Sequence, residues 1–259
     1  MSDSLNAYKA TAAWAAATHV ETIAREVSPS TNAEAKSLLG QLGTRSLIIA
    51  NHQTSGRGRG DHTWSDSAGQ ALLSSWIFHV PKSPQPILSA LVGLALFEAV
   101  SVTWPSIVWA LRAPNDLHVV PDPTATGGIG HRDVSKMAGI LIELTNSAIG
   151  QVSIIVGLGM NVSSAPTGTK PYAATSLHAE LASRGVSVTA ADWSKFLSAW
   201  IANCESRIVE GLNTELQTAA RWALAAALRK HPEYRELREV DLDGSLVFND
   251  GRRVAWAAL

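Results

Sequence analysis

Residues Lys136–Val162 read KMAGILIELTNSAIGQVSIIVGLGMNV, and this stretch decides the fold class. Two strand-like runs rich in Ile, Leu and Val, Met137–Thr145 and Val152–Val162, follow each other with no helical pattern between them. A doubly wound parallel sheet needs a helix between successive strands. The stretch therefore favours an α+β fold with a mixed β-sheet flanked by helices.

The remaining hydrophobic patterns agree with this class, because strands come early in the chain and a block of helices comes late. Further strands are predicted at Thr22–Val27, Arg45–Ala50, Ala71–Val80, Ile107–Leu111 and Asp116–Val120. Helices are predicted at Asn32–Leu42, Ile87–Val102, Ser176–Arg184, Ala190–Glu210 and Glu215–Lys230. The Pro-, Gly- and Thr-rich segment Pro121–Asp133 is expected to form a surface loop.

The last part of the chain contains two turn signals, Asp243-Gly244 and Asn249-Asp250-Gly251, around a strand-like run at Ser245–Phe248. About 30 residues cannot hold much core alone, so this segment should pack on the main domain. We expect a catalytic domain over residues 1–230 and a short β-rich C-terminal extension over residues 231–259.

The overall charge is nearly balanced, which excludes some classes of protein. The 259 residues contain 21 Lys and Arg against 22 Asp and Glu, a net charge of −1. This argues against a protein that coats nucleic acid or binds membranes through a basic surface. A hydrophobic fraction of 46% with 17% charged residues is that of a globular protein with a real core, not of a disordered chain.

Cysteine content and the N-terminal sequence indicate a cytoplasmic protein. The one cysteine, Cys204, cannot form an intrachain disulfide, and it is expected in the core. The apolar run Thr11–Thr18 is too short to cross a bilayer, which needs about 20 residues, so an N-terminal helix is the better interpretation. Eight tryptophans are interpreted as packing residues: Trp14, Trp76, Trp104, Trp109, Trp193, Trp200, Trp222 and Trp256.

Residues Gln53–Trp64 read QTSGRGRGDHTW and directly follow a predicted strand. Glycines let backbone N–H groups approach an anion closely, and Arg57 and Arg59 could clamp carboxylate or phosphate oxygens. A flexible basic surface loop explains the same pattern equally well. It is not a Walker loop, because no Gly-Lys-Ser/Thr ends it.

Three further segments carry polar groups with two possible roles each. Pro114-Asn115-Asp116 suits hydrogen bonding to a ribose, a phosphate or a phosphate-bound Mg²⁺, but it is also ordinary turn chemistry. Lys136 stands at a loop-to-strand junction, either as a fixed point charge in an active site or as an exposed lysine. The glycines of Val156–Val162 mark close approach by a ligand or by a neighbouring element of the chain.

Taken in order, these segments resemble the biotin–protein ligase family. The matching blocks are Ser30-Thr31-Asn32, Gln53–Trp64, Pro114-Asn115-Asp116, Lys136–Leu144, Gly157–Val162 and Ala174-Thr175-Ser176-Leu177. They cover roughly residues 20–185 in the family's order and at compatible spacing. The resemblance implies the family's fold, a mixed sheet flanked by helices that is shared with lipoate ligases, followed by a small β-rich C-terminal domain.

The resemblance also implies a two-step reaction. Biotin's carboxylate attacks the α-phosphorus of MgATP to give biotinyl-5′-adenylate, and a lysine of a biotin carboxyl carrier protein then takes the biotin and releases AMP. Both attacking groups belong to substrates, so the enzyme has to supply positive charge, hydrogen-bond donors and alignment.

Each role is carried over to a matching position. Lys136 and Arg59 are implied as catalytic residues that contact the biotin carboxylate and the phosphate. The implied biotin-binding residues are Ser30, Thr31, Asn32, Gln53, Gly56, Arg57, Gly58 and Gly139. The implied ATP- or adenylate-binding residues are Arg59, Trp64, Asn115, Asp116 and Asn161. Mg²⁺ is expected to arrive with ATP near Asp116, and no metal site made by the protein alone is expected.

Some positions depart from the family pattern. Gly60, Asp61 and His62 stand where many members carry further basic residues, and Ala113 replaces the Trp of the Trp-Pro-Asn-Asp motif. The C-terminal segment is shorter than usual in the family. Two rival functions follow: a lipoate or octanoyl ligase on the same fold, which the Gly-Arg-Gly-Arg and Lys-Met-Ala-Gly sets disfavour, and a non-catalytic biotin-binding paralogue.

The resemblance also bears on partners. Only about 20 residues precede the first matched strand, too few for the winged-helix DNA-binding domain of some relatives, so no DNA binding is expected. The expected macromolecular partner is the carrier domain of a biotin-dependent carboxylase. Members of the family occur as monomers or homodimers, and both states stay open.

Overall fold

The computed structural model describes residues 5–60, 62–121, 134–146, 151–169 and 171–259. The helices are α1 (Ala7–Ala17), α2 (Thr31–Leu38), α3 (Leu88–Thr103), α4 (Leu177–Ala182), α5 (Ala190–Glu210) and α6 (Thr218–Arg229). The strands are β1 (Thr22–Ser28), β2 (Ser46–Gln53), β3 (Ala71–Val80), β4 (Trp109–Arg112), β5 (Asp116–Val119), β6 (Ser135–Asn146), β7 (Val152–Asn161), β8 (Ala173–Ala174), β9 (Leu237–Val240), β10 (Leu246–Phe248) and β11 (Arg253–Val254). Short 3₁₀ turns occur at Pro232–Tyr234 and Trp256–Ala258.

The chain folds into two compact units. Unit 1 comprises Met1–Ser83, Met137–Thr167 and Ala174–Leu197, and unit 2 comprises Pro84–Lys136, Gly168–Ala173 and Ser198–Leu259. The expected loop Pro121–Asp133 falls almost wholly outside the described residues. The predicted domain boundary between residues 230 and 231 stays a prediction.

Unit 1 is built on a mixed sheet with the strand order β1-β2-β3-β7-β6. The β1–β2 pair is parallel, whereas β2–β3, β3–β7 and β7–β6 are antiparallel. The predicted fold class, a mixed sheet with flanking helices, is therefore confirmed. Along β3, neighbouring side chains point to opposite faces of the sheet.

Helices cover both faces of this sheet. On one face, Ala35 of α2 packs in the core with Ile48, Ile77 and Ile155. On the other face, Trp14 of α1 meets Trp76 edge-on, with ring centroids 5.9 Å apart. Because Trp76 and Ile77 are consecutive in β3, these two contacts define opposite layers. The α2-side face is the one that carries the candidate site.

Unit 2 contains an antiparallel β4–β5 hairpin and a separate antiparallel sheet, β9-β10-β11. The C-terminal segment packs within this unit, since Trp256 Nε1 donates to Ser89 Oγ of α3 at 2.8 Å. Arg221 Nε of α6 donates to the Val240 carbonyl at 2.7 Å. The expectation that the β-rich tail packs on other elements is confirmed.

Most of the tryptophan prediction is confirmed, with one exception. The buried members are Trp14, Trp76, Trp104, Trp109, Trp193, Trp200 and Trp256, and Cys204 is buried as expected. Trp222 is 73% exposed, so its interpretation as a packing residue is wrong. It lies on α6 between core-facing positions such as Ala220 and Leu224, on the side that faces solvent.

Candidate active site

The start of α2 is held by polar side chains of unit 1. Ser30 caps the helix by accepting from the Ala33 N–H. The Thr31 N–H donates to Gln53 Oε1 at 2.7 Å, and the Thr31 hydroxyl lies 3.2 Å from the same oxygen. The first turn of α2 and the end of β2 are thereby fixed to each other.

Ser75, in the middle of β3, continues this set of hydrogen bonds. Its hydroxyl lies 2.6 Å from Asn32 Oδ1 and 2.8 Å from Thr31 Oγ1. A hydroxyl has one proton to donate. When Ser75 donates to Asn32, the one proton of the Thr31 hydroxyl can go either to Ser75 Oγ or to Gln53 Oε1, so the two hydroxyls can be satisfied in more than one way.

Asn32 is the centre of the set. Its Nδ2 donates to Glu143 Oε2 at 2.9 Å and lies 3.3 Å from the Leu141 carbonyl. Glu143 in turn pairs with Arg57, whose Nη2 is 3.3 Å from Oε2. We call Gln53, Thr31, Ser75, Asn32 and Glu143 the polar network.

The glycines of β7 accommodate side chains of this same chain. A Cβ placed on Gly157 would lie 2.4 Å from Asn32 Oδ1, and one on Gly159 would lie 2.6 Å from the indole ring of Trp64. Real Cβ atoms do not approach so closely, so only glycine fits at both positions without a shift. Of the two roles left open for these glycines, close packing of a neighbouring element is the one seen here.

The described part of the Gly-Arg-rich loop, residues 56–60 and 62–64, pairs as a small hairpin, which we call the Gly-Arg hairpin. The Trp64 N–H donates to the Gly56 carbonyl at 3.0 Å, and the Gly58 N–H donates to the His62 carbonyl at 2.7 Å. A Cβ on Gly56 would lie 2.5 Å from the Trp64 carbonyl oxygen. Glycine is thus needed for closure of the hairpin, and the Gly58 N–H is already used by the chain.

The two arginines of this hairpin differ. Arg57 is tied to Glu143, whereas the exposed Arg59 makes no ion pair or side-chain hydrogen bond within the described part of the chain. Gly60 follows it with a positive φ of 61°. Arg59 is therefore the arginine that can turn to a ligand without breaking an existing pair.

The remaining predicted residues of unit 1 lie close to the sheet. Trp64 packs on Ala50, Ala71 and Leu73, over Gly159. Gly139 of β6 is the register partner of Gly159. Asn161 is buried, and its Nδ2 donates to the Thr175 carbonyl at 3.1 Å, so it ties the end of β7 to the segment that leads into α4.

In unit 2 the structure places Lys136 beside Asp116. Lys136 Nζ lies 2.7 Å from Asp116 Oδ1, with side-chain exposures of 35% and 13% respectively. Burial alone would raise the pKa of Asp116, but the adjacent His118 and Lys136 outweigh it and lower that pKa. Lys136 is therefore held in an ion pair at the start of β6, and its role in an active site stays a prediction.

Asn115 lies in the loop that joins β4 to β5, where Arg112 and Asp116 are register partners. The turn role of this segment is therefore confirmed, and its role in binding a ligand stays a prediction. Arg112 is held by Glu233, with Nε 3.2 Å from Oε2, and its guanidinium lies over the Tyr172 ring. Desolvation, together with Glu233, raises the pKa of Tyr172.

Comparison with known proteins gives the chain a family. Residues 23–161 match the profile described as the biotin/lipoate A/B protein ligase family. The chain belongs to this family. The match includes the polar network, the Gly-Arg hairpin and the Lys136–Asp116 pair.

Individual relatives agree with this membership. The chain is 32% identical over 179 residues to the biotin--[acetyl-CoA-carboxylase] ligase of Mycobacterium tuberculosis, an alignment that covers 67% of this chain and 58% of that relative. It is 32% identical over 141 residues to the enzyme of the same name from Paracoccus denitrificans, covering 53% and 52% respectively. The matched region thus spans little more than half of these relatives' length.

A solved structure supports the fold. The biotin protein ligase from Aquifex aeolicus in complex with biotin and ATP is similar with a TM-score of 0.65 and 19% identity. The similarity covers 90% of this chain and 95% of that one. At this identity the likeness shows the biotin/lipoate ligase fold alone.

Two residues that contact the predicted site residues were not identified from sequence. Ser75 was not singled out, although a Ser-Ser pair inside the apolar strand ALLSSWIFHV was a usable signal. His118, fully buried next to Asp116, gave no signal, because a lone histidine between hydrophobic residues is usually a core residue.

No helix in the described ranges is long and apolar enough to cross a membrane.

Proposed function

We propose that the protein is an ATP-dependent biotin–protein ligase. In the first step a biotin carboxylate oxygen attacks the α-phosphorus of ATP, the bond to the β-phosphate bridge breaks, and pyrophosphate leaves. In the second step the ε-amine of a carrier lysine attacks the acyl carbon of biotinyl-5′-adenylate, AMP leaves with the bonding electrons, and the amine proton passes to solvent.

The polar network is the observation that carries the proposal. Biotin's ureido ring has two N–H donors and one carbonyl acceptor, whereas the dithiolane of lipoate and the chain of octanoate have none. Buried neutral hydrogen-bonding groups favour a ligand that can take over their hydrogen bonds, because a ligand without donors or acceptors would break these bonds and leave the groups unpaired. Ser75, Thr31 and Asn32 are such groups, each less than 5% exposed.

Charge is supplied by other residues. In this proposal Lys136 and Arg59 stabilise the carboxylate and the α-phosphate as negative charge develops between them. Neither has to act as a nucleophile. Arg59 suits retention of the adenylate, because its guanidinium has no competing partner in the described ranges.

The other proposed contacts are divided by chemistry. Biotin contacts are assigned to Ser30, Thr31, Asn32, Gln53, Gly56, Arg57, Gly58 and Gly139. Adenylate contacts are assigned to Trp64, Asn115, Asp116 and Asn161. Asp116 is a single carboxylate, which fits a Mg²⁺ held mainly by the ATP phosphates. The described residues contain no group of three or more His, Cys, Asp or Glu side chains that could hold a metal ion.

The proposed acceptor is a biotin carboxyl carrier domain, and the proposed compartment is the cytoplasm. The test is pyrophosphate release with biotin, lipoate or octanoate, run in parallel with transfer of labelled biotin to such a carrier. Release with biotin alone, and label on the carrier lysine, would support the ligase. Release with lipoate or octanoate but not biotin would overturn it in favour of the rival ligase.

A biotin-binding paralogue without transfer is the second candidate, and the replacement of a basic residue by Gly60 favours it. Fewer cations at the hairpin tip weaken the hold on a triphosphate. Calorimetry separates the two candidates. Both bind biotin, but on addition of MgATP only the ligase releases heat of turnover.

A further inference from the structure

A pair of buried histidines lies behind the Lys136–Asp116 pair in unit 2. His118 of β5 and His231, which precedes the 3₁₀ turn Pro232–Tyr234, are both 0% exposed. His231 Nε2 lies 3.3 Å from His118 Nδ1, and the Tyr172 ring meets both imidazoles edge-on.

The hydrogen-bond partners fix the tautomer of each ring. The Glu233 N–H donates to His231 Nδ1 at 3.3 Å, so this nitrogen carries no proton. A neutral imidazole has one N–H, which must then be on His231 Nε2. That N–H donates to His118 Nδ1, and His118 in turn must carry its proton on Nε2. These hydrogen bonds form a line that runs in one direction, from the Glu233 backbone N–H through His231 to His118, because the proton position on each ring is determined by its partner.

The end of this line faces Asp116. His118 Nε2 lies 3.9 Å from Asp116 Oδ2, beyond hydrogen-bond length, and it has no hydrogen-bond partner in the described part of the chain. The other carboxylate oxygen, Oδ1, accepts from Lys136. A buried N–H whose nitrogen lies 3.9 Å from Oδ2 attracts this oxygen and favours the rotamer that keeps Oδ1 turned to Lys136.

The start of the line is also anchored. Glu233, whose backbone N–H begins the line, has its carboxylate held by Arg112 and by the Tyr172 hydroxyl. Arg112 is the register partner of Asp116 in the β4–β5 hairpin. Both ends of the line are therefore fixed to the same hairpin.

We propose that His231 and His118 are positioning residues: the hydrogen bond from His231 keeps the proton of His118 on Nε2, and the attraction between this N–H and Asp116 Oδ2, 3.9 Å from the nitrogen, orients Asp116 and thereby holds Lys136 in place for adenylate formation. The second half of this statement rests on the proposed function. The first half concerns only groups of this chain and can be tested without turnover.

The first experiment is long-range ¹H–¹⁵N NMR on the full chain labelled at histidine and lysine nitrogens. We expect both His118 and His231 as Nε2–H tautomers at neutral pH, and a slowly exchanging Lys136 ammonium signal. His231→Leu should return His118 to mixed tautomers, while His231→Gln, which keeps a donor at the Nε2 position, should not. A wild-type His118 found as the Nδ1–H tautomer or as imidazolium would overturn the proposal.

The second experiment is pyrophosphate release by His118→Leu and His118→Gln. We expect the Lys136 ammonium signal to disappear in His118→Leu. We also expect kcat to fall about ten-fold with KM for biotin unchanged, because Lys136 is misplaced rather than removed. His118→Gln, with an amide donor in place of Nε2, should restore both. His79→Gln, which changes a hydrogen-bonded histidine of unit 1, serves as the control with unchanged kcat.

The outcomes separate the two proposals. Equal losses of kcat and of the Lys136 signal in His118→Leu and His118→Gln would mean that His118 acts only as a packing residue, and would overturn the inference. Wild-type protein with the expected tautomers and Lys136 signal, but without pyrophosphate release, would contradict the proposed function while the positioning of Lys136 stands.

Discussion

The polar network of unit 1 and the Lys136–Asp116 pair of unit 2 differ in charge and in exposure to solvent. The network around Asn32 consists mainly of neutral groups that are hydrogen-bonded to one another, and three of its five members, Thr31, Asn32 and Ser75, are buried. The pair in unit 2 is charged and partly exposed. Neutral donors and acceptors select a ligand by what it can satisfy, whereas charges act on a reacting centre wherever negative charge develops. The comparison predicts that damage to one region changes specificity and damage to the other changes rate.

The largest effect is expected for Lys136→Ala. Removal of a charge-stabilising donor should lower kcat for pyrophosphate release by roughly 100- to 1,000-fold, with little change in KM for biotin. Circular dichroism and thermal melting check that the fold is kept. Lys82→Ala, at an exposed lysine of unit 1, is the matched control. Wild-type release by Lys136→Ala would refute the role of this residue and the contrast itself.

The next effect is expected for Ser75→Ala, which removes a buried hydroxyl that we propose hydrogen-bonds the ureido ring of biotin. We expect KM for biotin to rise by roughly 5- to 150-fold, equivalent to about 1–3 kcal/mol for a buried ureido group left without its partner, with kcat nearly unchanged. Ser74→Ala is a close control, because Ser74 is equally buried in β3 but belongs to the opposite face and bonds the Leu158 carbonyl. Equal effects of the two substitutions would mean that the network does not select biotin.

A third test sharpens the structural side of the comparison. Gly159→Ala should push the Trp64 indole from its place and destabilise the protein by about 1–3 kcal/mol, as expected for overpacking. Gly40→Ala, where an added Cβ meets nothing within 4 Å, should leave stability unchanged. Chemical denaturation measures both. Unchanged stability of Gly159→Ala would show that Trp64 is free to move away.

The smallest effect is expected for Arg59→Gly, since this arginine is exposed. An ion pair between solvent-exposed groups contributes at most about 1 kcal/mol. Loss of such a pair between Arg59 and the adenylate should therefore increase escape of biotinyl-adenylate by roughly 2- to 5-fold. The readout is biotin on lysines of a bystander protein such as an added albumin. Equal bystander labelling by wild type and variant would count against adenylate retention by Arg59.

Strong local patterns predicted most of the fold. The bounds of β3 and α5 agree with the sequence prediction, because a ten-residue apolar strand and a long amphipathic helix carry clear periodicity. The short strands β9 and β11 were not predicted. Two to four residues hold no periodic signal, and such strands form only because β10 lies between them to pair with both.

Side-chain assembly was harder to predict than elements. Nothing in the sequence tells which of Ser74 and Ser75 faces α2, since this depends on the register of β3 against β7. The contact between His118 and His231 joins residues that no spacing rule connects. The motif residues themselves could be named from sequence, whereas their partners Ser75 and His118 required the tertiary structure.

The close fit of β7 to its neighbours has an evolutionary consequence. Asn32 and Trp64 occupy the volumes that side chains at positions 157 and 159 would otherwise fill. A larger residue at position 157 therefore becomes tolerable only if position 32 shrinks, and the same holds for positions 159 and 64. Across related sequences the two residues of each pair are therefore expected to covary in size, although they are far apart in the chain. The packing constraint at each pair is therefore on the summed volume of the two side chains rather than on either residue alone.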